Sequence, residues 1–440
     1  MRPALLLLPP LFVAACVDSS THTGLKNNVP IEASRVADVL PTDPVLQWNR
    51  ELLRIVRTPG AQPSTIHPTR SFAMMHAAIY DAVNSIDRRH RAYAVLLDGV
   101  SRHASKEAAA ASAAHDVLVE LYPLQHTALD DQLRTSLGAV PDGKEKRDGV
   151  GVGQAVAARI VALRANDGSA TPPIPFAFDT TPGRYRSTPP NFPAQPQFTH
   201  WSHVRPFTLR KANQFRPAPP PPLASDTYED AFNEVKALGQ ANGVVASADE
   251  ALTGRFWNGA IQNYWNEIAQ TLSVERHLDI VDNARLFASL NLGVADVVIA
   301  FYDAKYTYDF WRPVTAIRAA NTDDNAGTIA DSAWLPVVGN TTPDPSYPGA
   351  HAAISAVASQ ILEALLGTDR LSFAVTSEVM PGTERSFSTL SSAAREATLS
   401  RIFAGVHFRF DLTTGESLGR RVSQWVLDRF LKSAHQRDSR

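Results

Sequence analysis

The sequence predicts an all-α protein with one long, proline-rich irregular crossover. Apolar residues recur at helical spacing through most of the chain, and residues 372–375 form the single candidate strand. Residues 169–223 interrupt the helical pattern with many prolines and aromatic residues. Of the 440 residues, 44% are apolar and 20% are charged, which is the composition of a globular protein with ample core material.

The net charge of -2 gives no reason to expect nucleic acid or an anionic membrane as a partner. A charged substrate would have to be held by local clusters of side chains. No apolar run after the N terminus approaches transmembrane length, so we expect the rest of the chain to be soluble.

The N terminus resembles a secretory signal. Arg2 precedes a short apolar run, and residues 13–16 read Val-Ala-Ala-Cys, which is similar to a bacterial lipobox. We therefore predict a lipoprotein-type signal peptide over residues 1–15, lipidation of Cys16 and a polar tether over residues 16–43. An ordinary signal peptide that contains a cysteine is the alternative. Cys16 is the only cysteine, so intramolecular disulfides and cysteine-based metal clusters are excluded.

A single all-α domain is expected over residues 44–435. Amphipathic or alanine-rich patterns predict its helices in these ranges: 45–56, 71–86, 106–121, 127–137, 144–165, 226–238, 247–272, 278–311, 352–366, 389–406 and 412–431. Residues 286–301 are apolar nearly all round and should be central and buried. Residues 378–388 are expected to be loop.

The proline-rich residues 169–223 are too rich in aromatic residues for a disordered linker. We interpret them as an ordered crossover on the domain surface, near a site. A flexible spacer between two helical domains is the alternative.

Three stretches carry chemistry. Residues 305–313 place Lys305 and Arg312 seven positions apart, which is one face of a continuous helix. Buried cations need a counter-charge, and Asp309 is the obvious internal partner.

The second stretch, residues 345–351, reads Pro-Ser-Tyr-Pro-Gly-Ala-His and leads into an apolar helix, so its free backbone amides could bind an oxyanion.

The third stretch, residues 400–411, presents Arg401, then His407, then Asp411. Arginine offers a planar fork suited to oxyanions, and a histidine held by a carboxylate is a fixed ligand or nucleophile. Taken alone, the first stretch is more often an internal ion pair, the second an ordinary helix start and the third a solvated helix face.

Taken in order, Lys-x6-Arg-Pro, Pro-x-x-His and Ser-Arg-x5-His-x3-Asp resemble the signature of a known superfamily. It comprises the vanadium-dependent haloperoxidases and the type 2 phosphatidic acid phosphatases. The chain looks most like the soluble bacterial haloperoxidase branch, and the similarity extends over residues 44–431. Five further stretches agree with that branch: 45–49, 73–82, 217–223, 256–257 and 303–318.

The resemblance implies helical bundles around one oxyanion site that holds vanadate, or phosphate in its place. Lys305, Arg312 and Arg401 would surround the oxyanion. His407 would bind vanadium or attack phosphorus, with Asp411 orienting it. His351 would be the acid–base group.

The second stretch departs from the usual Pro-Ser-Gly-His of that family. Gly349 stands where a serine hydroxyl usually bonds the oxyanion, and Ala350 stands where a glycine amide usually does. A lost hydroxyl bond weakens oxyanion binding by about 1–3 kcal/mol. Asp344 stands near the position where relatives tend to carry an aromatic residue or histidine by the halide, and a carboxylate there would repel halide.

Three functions are therefore open from the sequence. The first is a vanadate-dependent haloperoxidase that oxidises halide with hydrogen peroxide to hypohalous acid and so modifies a small organic substrate. The second is an acid phosphatase acting through a phosphohistidine. The third is a non-catalytic envelope lipoprotein on this fold.

The remaining histidines, such as His67, His76, His200 and His203, show no metal-ligand spacing and are expected to be structural or solvated.

Overall fold

Helices supply nearly all the regular structure of this chain. The computed structural model describes residues 43–243 and 245–434. The predictions for the signal peptide, Cys16 and the tether up to residue 42 lie outside the described residues. Within the described ranges the α-helices are α1 Pro44–Arg57, α2 Thr69–Asp87, α3 Lys106–Leu121, α4 His126–Gly138, α5 Lys144–Arg164, α6 Asp226–Leu238, α7 Ala248–Phe256, α8 Ile261–Glu275, α9 Ile280–Tyr308, α10 Pro313–Arg318, α11 Ala350–Leu366, α12 Leu390–Phe403 and α13 Arg409–Arg429. The all-α prediction is confirmed.

Side-chain caps explain where many of these helices begin. A side-chain oxygen of the preceding residue accepts a hydrogen bond from a first-turn amide, which satisfies a group without a helical partner. Six helices start this way, with the capping residues Asp43, Ser105, Ser225, Ser247, Asp279 and Thr389.

Helix α9 lies at the centre of the fold and packs against α1, α2, α8, α11 and α13. It is long and apolar enough to cross a membrane by length and composition, so the expectation that no later run reaches that length was wrong. However, 94% of its apolar window is buried inside the protein, which is the pattern of a core helix. Its last turn carries Lys305 toward the site.

Helices α11 and α13 approach each other unusually closely. A Cβ atom added at Gly415 would lie 2.4 Å from the Gly349 carbonyl oxygen, and one added at Gly419 would lie 2.4 Å from the Ala353 oxygen. Only glycine fits at these two positions of α13. The close crossing fixes the start of α11, which carries His351, against the start of α13, which carries Asp411.

Two predictions of local structure were wrong. Residues 247–272 are not one helix, because α7 ends at Phe256 and α8 begins only at Ile261. Residues 384–387, predicted as loop, form strand β2 (Glu384–Phe387), which pairs antiparallel with β1 (Phe373–Thr376). Neither strand is long enough to show a clear alternating pattern, so pairing between the two decides their structure.

The proline-rich segment has no regular structure beyond the short 3₁₀ turns Trp201–His203 and Ala212–Phe215. Its backbone is nevertheless held in place. The amides of Phe207, Thr208 and Leu209 donate to the buried carboxylate of Asp296 on α9 at 2.6–2.9 Å. These bonds favour the ordered crossover over the flexible spacer. The single-domain boundary itself stays a prediction.

Candidate active site

The first motif does not lie on one helix face as predicted. Helix α9 ends at Tyr308, and Asp309 takes a left-handed conformation with φ of 52°. Arg312 is the extended residue before α10, with φ of -83° and ψ of 155°. Pro313 disfavours a helical conformation at the residue before it, so the helix cannot continue through Arg312. The two cations meet across a bend in the chain instead.

Asp344 is the counter-charge that brings these two cations together. Its carboxylate accepts a hydrogen bond from Arg312 Nη2 through Oδ1, and its Oδ2 lies 3.6 Å from Lys305 Nζ. Its backbone carbonyl accepts from Arg312 Nε at 2.7 Å. The prediction that Asp309 pairs with Lys305 was therefore wrong, because the turn after Tyr308 carries Asp309 away from the cation.

Lys305 is completely buried at the end of α9. Its ammonium group donates to the carbonyl oxygens of Pro345 and Ser346, the latter at 3.1 Å. Burial lowers the pKa of Lys305 to about 8, although the charge of Asp344 acts in the opposite direction. The ammonium is therefore charged at neutral pH but close to its titration range.

Arg401, in the last turn of α12, has unused donors. Its Nη2 donates to Asn258 Oδ1 at 3.1 Å, but Nε and Nη1 are buried and have no hydrogen-bond partner among residues 43–243 and 245–434. Burial lowers the pKa of Arg401 to about 9. Leaving charged N–H groups buried and unpaired costs several kcal/mol, so these atoms indicate a missing anionic partner.

His407 is held by a carboxylate on one side and an arginine on the other. Its Nδ1 donates to Asp411 Oδ2 at 2.9 Å, and its Nε2 lies 3.1 Å from Arg312 Nη1. Burial and the neighbouring cations lower the pKa of His407 well below its ordinary value. The ring is therefore neutral, with the proton on Nδ1 and the lone pair on Nε2.

Asp411 orients this histidine from the first turn of α13. Its Oδ2 also accepts from the Ser346 hydroxyl at 2.5 Å and from the Phe408 amide at 3.0 Å. Burial raises the pKa of Asp411 to about 6, so the carboxylate is ionised at neutral pH. Ser346 links the second and third motifs through this carboxylate.

His351 lies in the first turn of α11. Its Nε2 donates to the Trp257 carbonyl oxygen at 2.9 Å, which leaves Nδ1 as the acceptor. Burial and the charge of Arg401 lower the pKa of His351 well below its ordinary value. In the described part of the chain, no protein group accepts a hydrogen bond from the backbone N–H groups of Ala350, His351 and Ala352.

Gly349 caps α11 without a side chain, and its amide donates to the Asp411 carbonyl oxygen at 2.9 Å. A Cβ at this position would lie 3.1 Å from Leu412 Cδ2 and 3.2 Å from the Asp411 oxygen, which is tight. Helix α13 and the residues at its start therefore leave little room for a serine side chain at position 349. Ala350 is helical, so its N–H group is available despite its methyl group.

A cavity of about 330 Å³ leads to Arg401. Its walls come from the loop between α7 and α8, from the residues before Asp344 and from the proline-rich crossover: Thr188, Pro189, Pro190, Asn191, Pro193, Asn258, Asn340, Thr341, Thr342, Pro343 and Val406. A larger cavity of about 630 Å³ lies beside Lys211 and Arg216, and none of the predicted site residues lines it.

All predicted site residues within the described ranges are therefore brought together: Lys305, Arg312, Gly349, Ala350, His351, Arg401, His407 and Asp411. Sequence reasoning did not assign Asn258 and Trp257, which touch Arg401 and His351. The signal for them was the pair Asn258–Gly259, a turn dipeptide inside the range predicted as one helix. Among the described residues, no cluster of three His, Cys, Asp or Glu side chains could hold a bare metal cation.

Known proteins resemble this chain in sequence and structure. A family model described as the VCPO second helical-bundle domain matches residues 285–436. The vanadium chloroperoxidase of Curvularia inaequalis is 25% identical in an alignment 498 residues long, which covers 86% of this chain and 80% of that protein.

Two solved structures extend the comparison. One is described as the first bacterial vanadium-dependent iodoperoxidase. It is 26% identical and superposes with a TM-score of 0.74 over 89% of this chain and 97% of that one. A holo-type bacterial vanadium-dependent chloroperoxidase is 18% identical, with a TM-score of 0.65 over 85% and 94% of the two chains. These matches confirm the resemblance of the chain to the vanadium haloperoxidase and type 2 phosphatidic acid phosphatase superfamily, and the three relatives named here are vanadium haloperoxidases.

Proposed function

We propose that this protein is a vanadate-dependent haloperoxidase, which oxidises halide with hydrogen peroxide to hypohalous acid. The observation that carries the proposal is the pair of unpartnered nitrogens on buried Arg401, which face a site assembled from all three motifs. The haloperoxidase relatives support the same reaction.

The residues of this site fit an oxyanion. Arg401 offers two unpartnered nitrogens, Nε and Nη1, and the start of α11 offers the backbone amides of Ala350, His351 and Ala352. Lys305 and Arg312 add two positive charges. Vanadate would be held by these groups and by the Nε2 lone pair of His407, and when bound it supplies a Lewis-acidic metal that activates hydrogen peroxide.

His407 contributes a fixed ligand. The bond from Nδ1 to Asp411 prevents the ring from turning and keeps the lone pair on Nε2. The lowered pKa keeps this nitrogen unprotonated at neutral pH. Arg312 Nη1 donates a hydrogen bond to Nε2 at 3.1 Å, so binding at Nε2 must move this guanidinium aside.

His351 is suited to move a proton. Its Nε2–H is held by the Trp257 carbonyl, and the neutral ring can accept a proton from hydrogen peroxide at Nδ1 and later return it. The neighbouring charge of Arg401 opposes protonation of His351. A bound oxyanion would offset that charge, and so would raise the basicity of His351 only in the loaded site.

The charge of Asp344 is balanced by Lys305 and Arg312 rather than directed at an open halide path. Repulsion of halide by Asp344 is therefore weaker than its sequence position suggested. The 330 Å³ cavity beside Arg401 has room for halide, hydrogen peroxide and part of a small organic substrate.

The test is bromination of a dye by purified protein with vanadate, hydrogen peroxide and bromide. We expect turnover that depends on vanadate and that His407→Ala and Lys305→Ala abolish. Hydrolysis of a phosphate monoester is measured alongside, because His407 Nε2 could also attack phosphorus. Vanadate-inhibited hydrolysis without any halide oxidation would contradict the proposal and favour the phosphatase.

The location of the protein is a separate proposal that rests on the sequence alone. Residues 13–16 favour export to the bacterial cell envelope and lipidation of Cys16. Membrane contact would be made through this anchor. Metabolic labelling with a fatty-acid probe should mark the wild-type protein and not Cys16→Ser, and equal labelling of both would contradict the anchor.

A further inference from the structure

The segment from Asp344 to Ser346 occupies the donors of two of the three cations. Lys305 Nζ has three protons, and it has three oxygen neighbours: the carbonyls of Pro345 and Ser346 and the Asp344 carboxylate. The contact with Asp344, at 3.6 Å, is an ion pair rather than a hydrogen bond, so an oxyanion must compete with that carboxylate for the third proton of Lys305.

Arg312 is occupied in the same way. Its Nε and Nη2 bond the carbonyl and carboxylate of Asp344, and its Nη1 contacts the Val406 carbonyl and His407 Nε2. Arg401 differs from both cations, because its Nε and Nη1 have no partner. Asp344 therefore neutralises the two cations of the first motif, while two nitrogens of Arg401 stay unpartnered among the described residues.

The balance of charges in the site also indicates that Asp344 competes with an incoming oxyanion. Lys305, Arg312 and Arg401 carry three positive charges, and buried Asp344 and Asp411 carry two negative charges. Asp411 accepts a hydrogen bond from His407, whereas the Asp344 carboxylate pairs with Lys305 and Arg312. An incoming oxyanion must compete with the Asp344 carboxylate for Lys305 and Arg312.

We propose that Asp344 is a specificity-determining residue, a built-in competing anion that weakens oxyanion binding and weakens it more for phosphate than for vanadate. The inference rests on the proposed function, because it assumes that the three cations hold an oxyanion. Near neutral pH phosphate carries more negative charge than vanadate, because the oxygens of vanadate are more basic. Repulsion by a nearby carboxylate grows with the charge of the ligand, so it favours vanadate.

The experiment compares wild-type protein with Asp344→Asn, which keeps the shape of the side chain and removes its charge. Dissociation constants for inorganic vanadate and inorganic phosphate are measured by calorimetry near neutral pH. We expect Asp344→Asn to bind vanadate roughly tenfold tighter or more, and phosphate to gain severalfold more than vanadate.

Asp309→Asn is the matched control. Asp309 is also partly buried and lies only four residues beyond Lys305, but it bonds neither cation, and its Oδ1 has no partner. Burial raises the pKa of Asp309 to about 7, so its substitution near neutral pH removes a partly ionised carboxyl group without touching either cation. We expect both dissociation constants of Asp309→Asn to stay within about twofold of wild type.

Loss of Asp344 also leaves Lys305 and Arg312 without a counter-charge, which could unfold the variant. Its melting temperature is therefore followed against vanadate and phosphate concentration. A variant that is folded only when an oxyanion is present supports the proposal, because the anion then replaces the carboxylate. A variant that stays unfolded at saturating oxyanion overturns it, because Asp344 would then be purely structural.

The remaining outcomes separate the inference from the proposed function. If wild type binds vanadate but Asp344→Asn binds no tighter, or gains equally for both anions, the inference fails and the proposed function stands. If neither protein binds vanadate or phosphate, both fail.

Discussion

At the scale of single residues, Arg401 has the most informative surroundings. A guanidinium that is 4% exposed and has two unpartnered nitrogens is unfavourable in the oxyanion-free protein. The same nitrogens are prepared for a ligand without further rearrangement, whereas Lys305 and Arg312 are occupied. Stability and oxyanion binding should therefore oppose each other at this position.

Substitution of Arg401 tests this opposition. Arg401→Met should raise the free energy of unfolding without oxyanion by about 1–3 kcal/mol, because a buried unpaired charge is removed. The same variant should lose vanadate affinity by roughly tenfold to a hundredfold. Both are measured by chemical unfolding and calorimetry.

Arg395→Met is the control, because Arg395 is exposed on the same helix. It should change neither quantity appreciably. An Arg401→Met protein that is less stable than wild type and binds vanadate normally would show that Arg401 has only a structural role.

The identities of the site residues could be read from the sequence, but their pairings could not. The spacing of Lys305, Arg312, Arg401 and His407 identifies the groups that meet. The partner of Lys305 depends on how the chain bends after Tyr308, and that bend brings in Asp344 from a loop that is distant in sequence. Local spacing pointed to Asp309 because it considers only one helix.

At the scale of elements, the contact between α11 and α13 aligns the second and third motifs. Gly415 lies against the Gly349 carbonyl, next to the turn that carries Ala350 and His351. Any side chain at position 415 must move the two helix starts apart. The distance between His351 and His407 depends on this contact.

Gly415→Ala is therefore expected to lower the free energy of unfolding by about 2–3 kcal/mol, despite the higher helix propensity of alanine. It should also weaken vanadate binding, because the groups at the two helix starts separate. Thermal and chemical unfolding and calorimetry give the two readouts.

Gly151→Ala is the control within α5. A Cβ at Gly151 meets nothing within 4 Å, so alanine should stabilise the protein by about 0.5–1 kcal/mol. If Gly415→Ala behaved like Gly151→Ala, the close helix contact would have no energetic importance.

Helix positions followed from periodicity, since the predicted ranges for α3 and α6 agree with the structure at both ends. The break between α7 and α8 did not follow, because apolar residues continue across it. Residues 257–260 are not helical. The Trp257 carbonyl oxygen accepts a hydrogen bond from His351, and the side-chain oxygen of Asn258 accepts one from Arg401. The apolar pattern predicts a helix here, but the chain forms a turn whose residues contact the site.

At the scale of the whole molecule, neutral buried histidines should link stability to pH. His76 is fully buried on α2, and its Nε2 donates to Asn49 Oδ1 at 2.9 Å. Burial lowers the pKa of His76 to about 3. In the unfolded chain the pKa of a histidine is about 6.5. Between about pH 6.5 and pH 3 this histidine is therefore protonated in the unfolded state and neutral in the folded state.

The free energy of unfolding should therefore fall as the pH drops from about 6.5 toward 3, by up to about 1.4 kcal/mol per pH unit for this one group. His76→Gln removes the titrating group. The free energy of unfolding should then change less steeply with pH between about pH 6 and pH 4, by the amount that corresponds to nearly one proton. Urea unfolding at several pH values measures the slope. An unchanged slope would mean that His76 is protonated in the folded state.

The central claim is that the three motifs form one cage around an oxyanion, and a crystal structure determined with vanadate tests it most directly. We predict vanadate within hydrogen-bond distance of Arg401 Nε and Nη1, with vanadium at His407 Nε2. Vanadate bound only elsewhere, for example in the larger cavity beside Lys211, or density that leaves Arg401 without a partner, would contradict the account.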